Sequence, residues 1–187
     1  MKKVITVLSA ITLFTGIALV PANAHVSVQM RGYTLVAGQS SRVYLSLGHG
    51  CTYKDKAYPT SDFIVKVPAA AGKPTPEFHY GFKTSVIAST TVDANKTPDF
   101  YTVSWKASTL SHAIDDGTFY DFGLKVKWSA TAQLINFETT QVCYAPAAGG
   151  KKKPLYLSWT ITDGTTKTAT EDTEFGPSPS ITTVKAA

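Results

Sequence analysis

His25 is the residue whose chemistry depends most on how this chain is processed. It directly follows Ala22-Asn23-Ala24, which has the small-x-small form of a signal-peptide cleavage site. Cleavage before His25 would leave a free α-amine beside its imidazole, so that the amine and Nδ1 could bind one metal ion together. An α-amine has a pKa of about 8, so a metal can displace its proton at neutral pH. Such nitrogen donors favour Cu(II), but two of them do not complete a copper site. The alternative is that cleavage falls before a histidine by coincidence.

The first 24 residues have the order of a secretory signal peptide. Lys2 and Lys3 give a positive start, residues 4–20 form an apolar run, and Pro21 ends that run before the cleavage site. A retained membrane anchor is the alternative, but the run is short for a membrane span and ends in a cleavage site. We therefore predict that residues 1–24 are removed. The mature protein would be periplasmic or secreted, without a membrane anchor.

The mature chain would be only mildly basic. The formal net charge of +5 falls to +3 when the two lysines of the signal peptide are removed. The basic residues are scattered, which does not suggest nucleic acid as a partner. Their one dense cluster, Lys151-Lys152-Lys153 after "APAAGG", is interpreted as a solvated loop tip rather than a binding patch.

Cys51 and Cys143 are the two cysteines of the chain, and both lie in the mature part. In an oxidising compartment two cysteines most simply form a disulfide. This bond would close a loop of roughly ninety residues and stabilise the fold by on the order of 4 kcal/mol. A thiolate metal pair is the alternative, which export disfavours.

The mature sequence alternates apolar and polar residues with the period of a β-strand. The pattern occurs in "SRVYLSLGHG", "DFIVKVP", "FYTVSWKA", "TFYDFGLKVKW", "LINFETTQVCYA" and "LYLSWTIT". Seven or more short strands in one domain indicate an all-β sandwich or barrel. We predict one antiparallel β-sandwich, immunoglobulin-like or cupredoxin-like, over residues 25–164. Residues 165–187 are predicted to be a polar tail in which "SITTV" could form a last strand.

A series of short motifs follows one order along the mature chain. They are "AHVSV", "GQSSRVYLSLGHGC", "FIVKVP", "VSWKA", "DGTFYDFGLKV" and "TTQVCYA…LYLSWT". In this order, and with these cysteine positions, the chain resembles the YcnI-like family of exported copper-binding domains over roughly residues 24–160. The resemblance implies a mono-histidine brace for copper. In it His25 supplies its amine and Nδ1, Asp121 supplies a carboxylate, and Trp159 lies beside the metal.

The chain departs from the family pattern in two places. Asp121 is one methylene shorter than the usual Glu, and "PTPEFHYGF" stands where many members have "P-x-P-G-W". The second difference leaves room for His79 as an additional or substitute ligand. Apart from the resemblance, Asp121 would be interpreted as a solvent-facing strand residue and Trp159 as a core aromatic. His49 is interpreted as a structural turn residue, and His112 as a loop residue.

The leading hypothesis is an exported Cu(II)-binding protein, not an enzyme, that serves copper homeostasis or delivery. Its partner would be a copper permease or a Cu(I) chaperone. Met30 is the only mature methionine, whereas a dedicated Cu(I) site usually needs several Met or free Cys ligands. The second hypothesis is a copper-dependent oxidative enzyme acting on polysaccharide, which would need His79 or His112 as a second histidine ligand. The third is a metal-free structural or adhesion module.

Overall fold

Fourteen strands and three short 3₁₀ turns make up the regular structure of the computed structural model, which describes residues 26–185. The predicted signal peptide and His25 lie outside the described residues. No helix within this range is both long and apolar enough to cross a membrane. The 3₁₀ turns cover Ala69–Ala71, Leu110–His112 and Ala148–Gly150. The strands are β1 (Ser27–Gln29), β2 (Ser40–Leu47), β3 (Cys51–Tyr53), β4 (Lys56–Tyr58), β5 (Thr60–Pro68), β6 (Thr75–Pro76), β7 (Phe82–Ala88), β8 (Phe100–Ala107), β9 (Tyr120–Lys127), β10 (Leu134–Asn136), β11 (Glu138–Pro146), β12 (Lys152–Ile161), β13 (Thr173–Pro177) and β14 (Ser180–Thr182).

Two sheets hold most of these strands. A four-stranded sheet has the order β1-β2-β9-β6, and a six-stranded sheet has the order β13-β12-β11-β5-β8-β7. Strands β3 and β4 form a separate hairpin, and β10 pairs with β14. The strand pairs of the described residues are antiparallel except for β12 and β13, which run parallel. The predicted all-β, antiparallel architecture is therefore confirmed, with one parallel pair at an edge.

The core lies between the two sheets and takes every second residue of the strands that face it. Phe63 of β5 and Phe122 of β9 are stacked across the interface, with ring centroids 4.4 Å apart and planes 11° from parallel. Burial of these rows provides most of the driving force for joining the sheets. The alternation predicts rows of residues that share one face, and most of their members are buried: Val43, Leu45, Leu47, Phe63, Val65, Val67, Val103, Trp105, Phe122, Leu124 and Val126. Tyr101 and Tyr120, at the ends of two rows, are partly buried against the same core.

The segment after residue 164 contributes two strands. Strand β13 lies beside β12, with Glu174 opposite Leu157. Strand β14 lies beside β10, with Ile181 opposite Ile135. Both isoleucines are buried and belong to the same hydrophobic core as the two sheets. The core therefore continues into this C-terminal segment.

Cys51 and Cys143 form the predicted disulfide, which joins β3 to β11. Their Cα atoms are 5.9 Å apart, and both residues are buried in the core. No free cysteine remains, so neither sulfur is available as a thiolate metal ligand.

We expect loss of the disulfide to cost the protein on the order of 4 to 5 kcal/mol, because the bond closes a loop of 92 residues. The measurement is urea denaturation of the oxidised protein, of the same protein after reduction, and of the double variant Cys51→Ala/Cys143→Ala. The reduced protein keeps both sulfurs in the core, so it separates the effect of the cross-link from the loss of packing. A difference below about 1 kcal/mol between oxidised and reduced protein would contradict the expectation.

Candidate functional site

Asp121 lies on the outer face of the four-stranded sheet. Its neighbour Phe122 points into the core, and successive strand residues point to opposite faces, so Asp121 points away from the core. Asp121 is paired with Ser46 of β2, which is paired in turn with Ser27 of β1. Adjacent strands are about 4.8 Å apart, so Ser27 and Asp121 are separated by roughly 10 Å across this face.

The carboxylate of Asp121 has one oxygen paired and one oxygen without a partner. Arg31 Nη2 donates a hydrogen bond to Oδ2 at 2.7 Å in an ion pair. This bond raises the pKa of Arg31, the carboxylate charge acting in the same direction and desolvation against it. The other oxygen, Oδ1, is buried and accepts no hydrogen bond from any described residue. Asp121 therefore pairs one carboxylate oxygen with Arg31 and keeps the other, Oδ1, as a free hydrogen-bond acceptor.

Arg31 reaches Asp121 from the turn that follows β1. Arg31 and Gly32 both have positive φ angles, 49° and 83°, and Tyr33 N donates to the Met30 carbonyl at 3.1 Å. Two successive positive φ angles are the mark of a type I′ turn, and a non-glycine residue adopts this conformation at a cost of roughly 1 kcal/mol. The guanidinium also lies 3.7 Å from the centroid of the Tyr44 ring. The ion pair and this ring contact hold Arg31 in place.

Glu77 brings a second carboxylate to the same outer face. The Glu77 N–H donates to the Gly123 carbonyl at 2.8 Å, and the Glu77 carbonyl accepts a hydrogen bond from Trp105 Nε1 at 3.1 Å. The Glu77 side chain crosses directly over Gly123, where a Cβ would collide with it. Gly123 and Asp121 share one face of β9, so Glu77 adds a second carboxylate to the face that carries Asp121. Sequence reasoning missed Glu77. Its only signal was the unusual "PTPEFHYGF" segment.

His79 lies on the opposite face of β9 from Asp121. Its ring contacts Trp105, Tyr120 and Phe122, with centroids 5.1 to 6.3 Å apart. Nδ1 is 2.7 Å from the Tyr120 hydroxyl, and Nε2 is buried without a hydrogen-bond partner among the described residues. Burial lowers the pKa of His79, opposed by the charge of Glu77, so the ring is neutral at pH 7.

Trp159 is not beside Asp121. It belongs to β12, where it is paired with Thr139 and Gly176, and it is 6% exposed in the core. It therefore reaches the interior from the six-stranded sheet, whereas Asp121 lies on the outer side of the four-stranded sheet. The structure supports the interpretation of Trp159 as a core aromatic.

The two other described histidines lie in connecting segments. His49 follows β2, and its carbonyl accepts a hydrogen bond from Gln141 Nε2 at 2.8 Å. His112 ends a 3₁₀ turn, with Nδ1 3.2 Å from Thr109 Oγ1 and its ring 5.7 Å from that of Tyr80. Among residues 26–185, no group of three or more His, Cys, Asp or Glu side chains is arranged to hold a metal ion.

Comparison with solved structures identifies the class of fold. An uncharacterized protein from Nocardia farcinica, described as having an immunoglobulin-like fold, aligns with a TM-score of 0.56 at 17% identity, covering 86% of this chain and 98% of its own. This likeness confirms the predicted immunoglobulin-like sandwich. AvmM, which catalyzes macrocyclization in alchivemycin A biosynthesis, aligns with a TM-score of only 0.32 at 8% identity, covering 88% of this chain and 92% of its own. No protein-family model and no curated protein matches the chain.

We expect the burial of neutral His79 to make stability depend on pH. The pKa of His79 in the folded protein lies below its ordinary value of about 6.5. Neutral His79 therefore makes its full contribution to the free energy of unfolding above about pH 6.5. The contribution is lost as pH falls through 6.5 and then through the lower folded pKa. In thermal melts from about pH 7.5 to about pH 5, His79→Gln should lose less stability than the wild type. His112→Gln is the matched control. If the melting temperature of His79→Gln falls with pH as steeply as that of the wild type, the pH dependence does not come from His79.

Proposed function

We propose that the processed protein binds Cu(II) through the α-amine and Nδ1 of His25 and the carboxylate of Asp121, and that it serves copper homeostasis or delivery. The observation that carries the proposal is the buried, unpartnered Oδ1 of Asp121 on the face bordered by β1. An unpaired buried carboxylate oxygen is costly, and a cation would compensate for it. The motif order that resembles the YcnI-like family supports the same ligand set.

The donor chemistry fits Cu(II). An amine and an imidazole are nitrogen donors, and the carboxylate is a hard oxygen donor that offsets the charge of the dication. Glu77 adds negative charge on the same face, while Arg31 neutralises only the Oδ2 side of Asp121. The disulfide removes both thiols, and Met30 is the only methionine of the described chain, so soft ligands for Cu(I) are scarce.

The described strands place the start of β1 on the same face as Asp121. Ser27, which follows His25 by two residues in the sequence, is roughly 10 Å from Asp121 across the sheet. Trp159 is left out of the proposed ligand set because its side chain lies in the core.

A binding protein is favoured over an oxidative enzyme by the position of His79. A histidine brace of the polysaccharide-oxygenase type needs a second histidine at the metal. His79 is held by Tyr120 on the face of β9 opposite to Asp121. In delivery, the copper would be passed to or from a membrane copper permease or a Cu(I) chaperone.

The first test compares protein that begins at His25 with protein that carries one extra glycine before it. The extra residue converts the amine into an amide and removes one proposed ligand. We expect Cu(II) affinity, measured by isothermal titration calorimetry, to fall at least about tenfold in the extended protein. The electron paramagnetic resonance spectrum of the unextended protein should show two nitrogens plus oxygen. Equal affinity in the two preparations would eliminate the proposed brace.

The second test replaces the carboxylate. Asp121→Asn keeps the size of the side chain but removes its charge, and we expect it to weaken Cu(II) binding by roughly tenfold or more. Glu138→Gln is the matched control, because Glu138 is also a strand carboxylate in an ion pair, with Lys66 at 3.2 Å, but lies on the six-stranded sheet. If both variants bind Cu(II) like the wild type, Asp121 is not a ligand.

A further inference from the structure

The outer face of the four-stranded sheet contains a cavity of about 530 Å³ that is lined by cations and by no acid. Its lining includes Arg31, Arg42, Lys125, Tyr33 and Tyr44, together with the serines that begin β2. A volume of this size lies in the range of organic-ligand pockets, about 300 to 1,000 Å³, and far exceeds that of one inorganic ion.

The composition of this cavity is unusual for the chain. Only two of the 18 basic residues are arginines, and both line this one cavity. Arginine presents a planar fork of N–H donors that matches the two oxygens of a carboxylate or phosphate, which lysine does not. One acidic ligand in this cavity would therefore lie beside both arginines of the chain.

The positions of Arg42 and Lys125 carry an electrostatic cost that an anion would relieve. The two residues are directly opposite each other on β2 and β9, and both are exposed. Like charges in this relation repel and destabilise a sheet. Neither side chain has an ion-pair partner anywhere in residues 26–185. Glu77 does not line this cavity, but it lines a smaller neighbouring cavity of about 240 Å³ together with Arg42 and Lys125.

Arg31, in the turn that follows β1, is the third cation that lines the cavity. Its single hydrogen bond goes through Nη2 to Asp121, and a guanidinium has five N–H donors, so further donors remain for a ligand. Tyr44 forms an aromatic wall beneath Arg31, and Tyr33 is 65% exposed at the rim.

We propose that this cavity binds a small organic polyanion with several carboxylate groups, held by Arg31, Arg42 and Lys125. Several acidic groups on one molecule match cations that are spread around a large cavity, whereas a single inorganic anion would reach only part of them. The proposal does not depend on copper binding, and it concerns the metal-free protein.

The test is calorimetric titration of metal-free protein with citrate at low ionic strength. We expect saturable binding that weakens with added salt. The variant Arg42→Gln/Lys125→Gln should lose at least about tenfold in citrate affinity, because each charged hydrogen bond is worth a factor of that order. Its melting temperature should be no lower than that of the wild type, because the opposed charges are gone.

The matched control is Lys83→Gln/Lys106→Gln. These two lysines are also exposed and directly opposite each other, on β7 and β8, but they line no part of the cavity. The control should bind citrate within about twofold of the wild type. Arg42→Lys keeps the charge and the fold and should still weaken binding several-fold, because it loses the planar fork. Equal loss in both double variants, no saturable binding by the wild type, or inorganic phosphate binding as tightly as citrate would overturn the proposal.

Discussion

The stacking of Phe122 on Phe63 fixes the two sheets against each other, and the candidate site depends on it. Phe122 also packs against Trp105, so one ring of β9 is held by two strands of the opposite sheet. Because side chains alternate along a strand, an inward Phe122 requires an outward Asp121 and Gly123. A shift of β9 by one residue would exchange the two faces completely, which the burial of this aromatic cluster prevents.

Arg31 connects the two parts of the outer face. It neutralises one oxygen of Asp121, lies over Tyr44, and lines the cationic cavity. A metal ion at Asp121 would repel the guanidinium, whereas an anion in the cavity would attract it. The two proposed ligands would therefore not bind independently, since both act on the position of one side chain. The coupling is reciprocal for the binding free energies, whichever ligand binds first.

The fold was predictable because its signals are local, whereas the site was predictable only in part. Alternation identified the inward rows around Val43, Phe63 and Phe122, and a chain with two cysteines left one simple pairing. Arg31 and Glu77 could not be found in this way. Arg31 reaches Asp121 from a turn, and Glu77 crosses Gly123 from a loop. Both segments are distant from β9 in sequence, and no periodic pattern specifies where a loop side chain ends. Trp159 is the opposite case, because a local signal was right and the resemblance was not. Trp159 alternates with Leu157 along β12 and lies with it in the core, whereas the family resemblance implied a position beside the metal. The participation of His25 stays a prediction.

Buried side-chain atoms that lack a hydrogen-bond partner distinguish Asp121 from the other candidates. Four buried side-chain atoms of the described residues lack a hydrogen-bond partner: Ser61 Oγ, Asp62 Oδ1, His79 Nε2 and Asp121 Oδ1. Each costs on the order of 1 to 3 kcal/mol, and folded proteins retain such costs mainly where function requires them. Ser61 and Asp62 belong to the six-stranded sheet, and His79 is a neutral ring enclosed by aromatic side chains. Asp121 alone combines a negative charge with a position two strands from the edge strand β1, whose chain continues toward His25. The proposed cation would compensate for this free oxygen, which the other three atoms do not offer in the same position.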